Sequence, residues 1–228
     1  LAAIKRQRAD RAAAYFRENA PRWDQIRSLY IDEREVEAAL LEIVAAAAPR
    51  DLLDIGTGTG RMIEVLAPRV GQALGIDQSR EMLAVARVNL ERAGAANGMV
   101  RLGDMYQLPL PDAAFDAVVI HQVLHYADRP AAVIAEAARV LRPNGVLIAV
   151  DFAPHGLEFL RDEHAHLRLG FADAEVAEWC REAGLDPAPP RHLPGDPLTV
   201  AVWTGYRRPP VRAEARVEPA SAAEVLQP

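Results

Sequence analysis

The chain has 228 residues, 26 basic against 32 acidic side chains for a formal net charge of −6, and a single cysteine. That length suits one large α/β domain, or one domain with a small appendage, rather than a string of modules. The lone Cys180 excludes an internal disulfide framework and any CxxC redox or zinc-ribbon motif, which fits a reducing, cytoplasmic setting.

Of the basic residues only Lys5 is lysine, and it sits in no glycine-rich loop. A P-loop lysine or a Schiff-base lysine is therefore disfavoured. No run of 18 apolar residues is present and the start lacks the apolar stretch of a signal peptide, so nothing reads as a membrane span. The acidic balance argues against a grip on a nucleic-acid backbone by this chain itself. Half of the residues are hydrophobic, 43 are alanine and only 6% are aromatic, which predicts a core of small side chains and closely packed helices. Residue 1 is Leu, not Met, so the sequence is expected to begin inside a longer product.

In chain order, residues 1–48 read as a helical linker or lid. Ile4, Arg8, Arg11, Tyr15 and Phe16 lie in alanine-rich sequence before Pro21, which acts as a breaker. A second helix starts at Asp32 with Glu35 three residues on, and Val36, Leu40, Ile43 and Val44 keep helical spacing. Residues 49–206 form the expected α/β domain. Strands are predicted at 51–55, 73–76, 99–102, 115–120 and 146–150, with a closing strand at 198–203. Helices are predicted at about 60–67, at 79–93 with Ser79 as N-cap, and at 130–141, and weaker ones at 156–169 and 172–184. Strands alternating with helices imply right-handed βαβ units and a mostly parallel sheet. Residues 207–228 lack an apolar period and are expected to form a loose tail.

The strongest motif is Asp54-Ile-Gly56-Thr-Gly58-Thr-Gly60, directly after the first predicted strand. Glycines at a strand-to-helix turn let the backbone approach a ligand, at the end of an open sheet where ligands bind. A dinucleotide fingerprint would need glycine where Arg61 stands. Asp77 ends the second strand, where an acid can accept from both hydroxyls of a ribose. Asp104 follows the third, where an acid can accept from an exocyclic adenine amine. Either acid alone is commonly a solvated loop residue; three acids at three consecutive strand ends beside a glycine loop form a constellation.

LLDIGTGTG, GIDQS, GDMYQLPLPDAAFDAVVIHQVLHY and LRPNGVLIAVDF, covering about 50–152, resemble in order and spacing the motifs of the class I S-adenosylmethionine (SAM)-dependent methyltransferases. The resemblance implies a Rossmann-like seven-stranded sheet with an antiparallel last strand. It implies that Gly56, Gly58 and Gly60 pass the methionine moiety of SAM and that Asp54 assists its ammonium. Asp77 and Gln78 would hold the ribose, Asp104 and Met105 would read the adenine, and His121 would line the methionine end, with S-adenosylhomocysteine as product. YFRENAPRWDQIRSLYIDE, HQVLHY and RDEHAHLRLGF further resemble the methyltransferase domain fused behind ArsR-type winged-helix repressors in some bacterial regulators. An upstream DNA-binding domain would follow from that likeness.

His121 and His125 have an HxxxH spacing, but Gln122 stands where a zincin has its catalytic glutamate, so no metal site is expected. His125 and Tyr126 are the candidates for acting on substrate, against a structural role for the histidine. His164 and His166, read on a helix, point about 200° apart and cannot readily share an ion. Tyr15, Trp23, His125 and His164 are candidates for the substrate side, with simple helix packing the alternative for the aromatic residues. Cys180 reads as a small core residue, and one cysteine cannot hold a metalloid as arsenite methyltransferases do. Three readings compete: a methyltransferase acting on a small molecule, a SAM-sensing domain of a regulator, and a nicotinamide-dependent oxidoreductase, disfavoured by Arg61. The sequence leaves a homodimer open.

Overall fold

A computed structural model of the chain describes residues 14–23 and 33–209. The expected helix around Ile4, Arg8 and Arg11, the cap at Asp32 and nearly all of the expected tail lie outside the described residues. Residues 14–19 are helical and tighten into a 3₁₀ turn at Ala20–Arg22.

The element order is α1 (Glu33–Ala47), β1 (Asp51–Ile55), α2 (Arg61–Leu66), β2 (Gln72–Asp77), α3 (Arg80–Ala93), β3 (Gly98–Leu102), β4 (Phe115–His121), α4 (Pro130–Val140), β5 (Leu141–Phe152), α5 (Phe159–Glu163), α6 (Asp173–Glu182), β6 (Leu185–Pro187), β7 (Arg191–Leu193) and β8 (Val200–Arg207). One sheet runs β3-β2-β1-β4-β5-β8-β6, with β7 also paired to β8. The first five strands are parallel, and β8 is antiparallel to β5, pairing Val150 with Val202. The expected antiparallel closing strand is thus present. The sheet has eight strands rather than seven, because the short β7 pairs alongside β8 at Leu193 and Val200.

Alternation along the strands divides the core between two faces. Leu53, Ile55, Val118, Ile120 and Leu147 pack with Val133 and Ala137 of α4 and Val176 of α6. Leu52, Val119, Ile148 and Val150 pack with Val36, Leu40 and Val44 of α1, Ile63 of α2 and Leu83 of α3. The i, i+4 spacing of Val36, Leu40 and Val44 is therefore the buried stripe of α1. Ser79 caps α3 by accepting from the Met82 N–H at 3.2 Å. The helix expected over 156–169 is only the five-residue α5. The chain beyond it turns back, with the Leu167 N–H donating to the His125 carbonyl at 2.8 Å, so His164 and His166 do not share a helix.

The strand order reverses beside β1, which lies between β2 and β4. Connections leave in opposite directions there and open a crevice at the carboxyl ends of the strands. At the opposite ends, Arg142 Nη1 donates to Asp51 Oδ2 and Asp116 Oδ1, each at 2.8 Å, tying β5 to β1 and β4.

Candidate active site

The glycine loop fills the turn between β1 and α2. Gly56 has φ +73°, and a Cβ there would lie 2.4 Å from Val123 Cγ2, so glycine lets the loop press against the chain after β4. Gly56 and Thr57 N–H both donate to the Ile76 carbonyl, at 2.8 and 3.0 Å. The loop is thereby hung on the end of β2. Gly60, with φ +84°, has a different duty: a Cβ would sit 3.1 Å from Ala86 Cβ, so it permits α3 to pack closely and does not line the crevice. Arg61, one residue on, points to α1 and α2 and pairs with both oxygens of Glu37 at 2.7 and 2.8 Å and with Glu64 at 3.0 Å.

Asp77, at the end of β2, accepts the Gly58 N–H on Oδ2 at 2.9 Å and the Ser79 N–H on Oδ1 at 2.8 Å. Burial raises its carboxyl above the usual carboxylate range, and the N–H groups of Ser79, Gly58 and Gln78 offset part of that. Asp77 lines the crevice, where its carboxylate is an acceptor for a ligand hydroxyl.

The crevice is an open cavity of about 190 Å³. Of the sequence-predicted cofactor residues, Asp54, Gly56, Gly58, Asp77, Gln78, Met105 and His121 line it, whereas Gly60 and Asp104 do not. Asp104 is exposed and its Oδ1 accepts the Tyr106 N–H at 2.9 Å, which shapes the turn that brings Met105 and Tyr106 to the wall. His121, buried at the end of β4, has Nε2 3.8 Å from Oε2 of Glu33, the first residue of α1.

Of the catalytic and substrate-side candidates, Tyr126 and Trp23 line the cavity; Tyr15, His125 and His164 do not. Trp23 lies over the glycine loop, its Nε1 3.5 Å from where a Gly58 Cβ would stand. Phe16 joins it, with ring centroids 5.3 Å from Trp23 and 4.8 Å from Tyr126. Tyr15 is one layer back, its hydroxyl 2.7 Å from His164 Nδ1. Burial pushes the Tyr126 phenol well above its usual value, with Tyr15 and Asp151 adding to the effect.

His125 is 2% exposed, in the 3₁₀ turn Leu124–Tyr126. Its Nδ1 is 2.8 Å from Asp151 Oδ1, and its backbone N–H donates to Asp151 Oδ2 at 3.2 Å. The His166 ring stacks on it at 4.0 Å, and burial beside His125 depresses the His166 imidazole far below its ordinary value. His125 is thus tied to Asp151 through both its ring and its backbone and does not line the cavity. Cys180 is buried against the α4 side of the sheet, its thiol pushed up to about 11 by burial. Among the described residues no group of three or more His, Cys, Asp or Glu side chains could hold a metal ion, and no helix is long and apolar enough to cross a membrane.

Glu33, Thr57, Gln122 and Leu167 reach or adjoin the cavity, and the sequence does not single them out as site residues. Gln122 looks like any polar residue after a strand. Thr57 alone carried a signal, since it lies inside the glycine motif.

The residues suit SAM. Gly56 and Gly58 line the cavity with no side chain in the way, and the Asp77 carboxylate, an acceptor for hydroxyl donors, lines it beside them.

Residues 53–149 match the family described as Methyltransferase domain. An uncharacterized methyltransferase of Mycobacterium tuberculosis is 36% identical over 175 residues, 72% of this chain and 61% of that protein. The ubiquinone biosynthesis O-methyltransferase of Ralstonia nicotianae is 29% identical over 201 residues, 81% of this chain and 84% of that protein. In fold, the chain is similar to the YcgJ protein of Bacillus subtilis, with a TM-score of 0.67 at 19% identity over 77% of this chain and 99% of that one. The chain spans 34% of one curated relative, from Streptomyces fradiae, and 61–64% of several others. With the glycine loop, the acid at the end of β2 and this sheet order, these matches make residues 53–149 similar to the class I, SAM-dependent methyltransferase domains.

Proposed function

We propose that the chain transfers a methyl group from SAM to a small-molecule acceptor, leaving S-adenosylhomocysteine. One observation carries this reading: a single cavity is lined both by Gly56, Gly58 and Asp77 and by Phe16, Trp23 and Tyr126, with Trp23 over Gly58. A polar cradle for an adenosyl group thereby adjoins an aromatic chamber. The name of the Ralstonia relative, which refers to ubiquinone biosynthesis, supports a small acceptor.

When bound, SAM supplies a methyl group already activated on a sulfonium. The chain's residues then have to position and dehydrate the partners more than move protons. Asp77 would accept from the ribose hydroxyls. Met105 and Tyr106 border the adenine end, and Asp104 holds their turn. Trp23, over Gly58, and Phe16 cover the methionine end and exclude water. Asp151 and His125 fix the turn that carries Gln122, Val123 and Tyr126 against the loop.

Calorimetric titration with SAM, S-adenosylhomocysteine and NADH tests the cofactor. Both sulfur compounds are expected to bind and NADH not to; binding of NADH alone overturns the assignment. Turnover with methyl-labelled SAM against a metabolite panel then tests transfer.

The finer kinship, to the domain fused behind ArsR-type regulators, is proposed on the sequence runs that carry it. Two of them meet in space, since Leu167 and Arg168 of RDEHAHLRLGF donate to the His125 carbonyl of HQVLHY at 2.8 and 3.2 Å. Ligand-dependent release of DNA by a longer product with no labelled methyl product would favour the sensing role.

A further inference from the structure

The two ends of the sheet are finished differently. Beyond β8 it stops on β6 and β7, three residues each, and β6 carries Pro187, features that blunt an edge. At the other end β3 has five residues and no proline, and among the described strands it pairs only with β2. The Ala73 N–H donates to the Asn97 carbonyl and the Gly103 N–H to the Asp77 carbonyl, each at 3.0 Å. Strand alternation therefore turns the N–H and C=O groups of Val100 and Leu102 away from β2, toward the open edge. Met99 and Leu102 on this strand are 55% and 43% exposed, two of the four large hydrophobic side chains that face solvent among the described residues.

The flank of α3 beside that edge carries matching charges. Asn89 donates to the Thr59 carbonyl at 3.0 Å and so marks the flank that faces the glycine loop. Arg87 and Glu91, two positions to either side, point about 200° away from it. Both are exposed, and with Gly98, Met99 and Val100 they line an open groove of about 500 Å³. Neither forms an ion pair with another described residue. A second copy related by a two-fold axis at Val100 would run its β3 antiparallel to this one. Val100 would exchange both N–H···O=C bonds with its counterpart. Arg101 would then stand opposite Met99 instead of another arginine, and Leu102 opposite Gly98, at the groove. Leu90 and Glu91 share the groove wall with Val100, so the axis passes α3 near their level and turns Arg87 of each copy toward Glu91 of the other. Self-matching of this kind is what a two-fold contact requires.

The geometry points to a two-fold homodimer in which β3 pairs antiparallel with β3 of a second copy and Arg87–Glu91 ion pairs flank the seam. The two sheets join into one, and Met99 and Leu102 gain cover. The proposal is independent of the methyltransferase reading, since neither Arg87 nor Glu91 lines the cavity beside the glycine loop.

Sedimentation velocity of the full chain at rising concentration tests it. The unmodified chain is expected to pass from the mass of a single chain to twice that mass. Arg87→Glu sets acidic side chains against acidic ones across the axis, and Glu91→Arg sets basic against basic. Each variant alone should weaken self-association by about tenfold; both positions are exposed, so the fold is expected to persist. Mixed in equal amounts, the two variants bring opposite charges together on both sides of the axis. Their association should return to within about threefold of the unmodified chain, a rescue that a change within one chain would not produce. Leu102→Lys, which places a charge at the strand seam, should weaken the dimer as well. A single-chain mass at every concentration overturns the proposal. So does a dimer that all three variants leave intact, which would put the interface elsewhere, or a mixture that associates no better than its components.

Discussion

Asp77 serves the loop and the ligand with one carboxylate. Its two bonds to the Gly58 and Ser79 N–H groups hold the glycine turn and the start of α3 in place. Asp77→Asn keeps one acceptor, aims an amide N–H at a backbone N–H and removes the charge. S-adenosylhomocysteine affinity is expected to fall by about 1–3 kcal/mol, read by calorimetry; an unchanged value would place the ribose elsewhere. The pH dependence follows from the raised carboxyl. A folded-state value above the unfolded one means that the native chain binds this proton more readily. This group's contribution to stability is therefore full at low pH and is lost as pH rises through the raised value. Ligand affinity runs the opposite way, because ribose hydroxyls donate to the carboxylate. Affinity for S-adenosylhomocysteine should decline on acidification from above the usual carboxylate range, with Asp77→Asn showing no such step.

At the scale of elements, the turn between β4 and α4 is where the site is assembled. Asp151, fully buried on β5, accepts from the His125 N–H, from His125 Nδ1 and, at 2.8 Å, from the Phe152 N–H. Asp151→Ala leaves three buried donors without an acceptor. Its unfolding free energy in urea is expected to drop by about 3–5 kcal/mol. His125→Ala leaves Asp151 with its two backbone donors and should cost less. A cost for His125→Ala equal to that for Asp151→Ala would show that the imidazole contact carries the whole effect. The helical segment at 14–19 is bound to the same region by Phe16 on Tyr126 and by Tyr15 on His164. The aromatic chamber is thus shared between elements more than 100 residues apart, separations that the Tyr15 to His164 bond makes explicit at 149 positions.

For the whole molecule, ligand binding and folding are one equilibrium, since the loop, the β2 end and the turn after β4 converge only in the native state. S-adenosylhomocysteine at a hundred times its dissociation constant should stabilise the chain by about 2.7 kcal/mol. Thermal unfolding followed at rising ligand concentration checks this, and a melting temperature indifferent to ligand would refute a preformed site.

How much of this was legible before folding depended on range. The strands 51–55 and 115–120, the helix capped by Ser79 and the glycine loop are written in periodicity and short-range chemistry, so the amino-acid sequence by itself determined the α/β alternation and the place of Asp77 at a strand end. It could not separate Gly60 from Gly56, because one meets Ala86 across a helix pair and the other meets Val123 in the turn after a different strand. Nor could it say that His125 Nδ1 faces Asp151, that the 156–169 stretch folds back after one short helix, or that Gln122 reaches the cavity. Those outcomes depend on which distant backbone is brought close, and only the packing of the sheet against its two helical layers decides that.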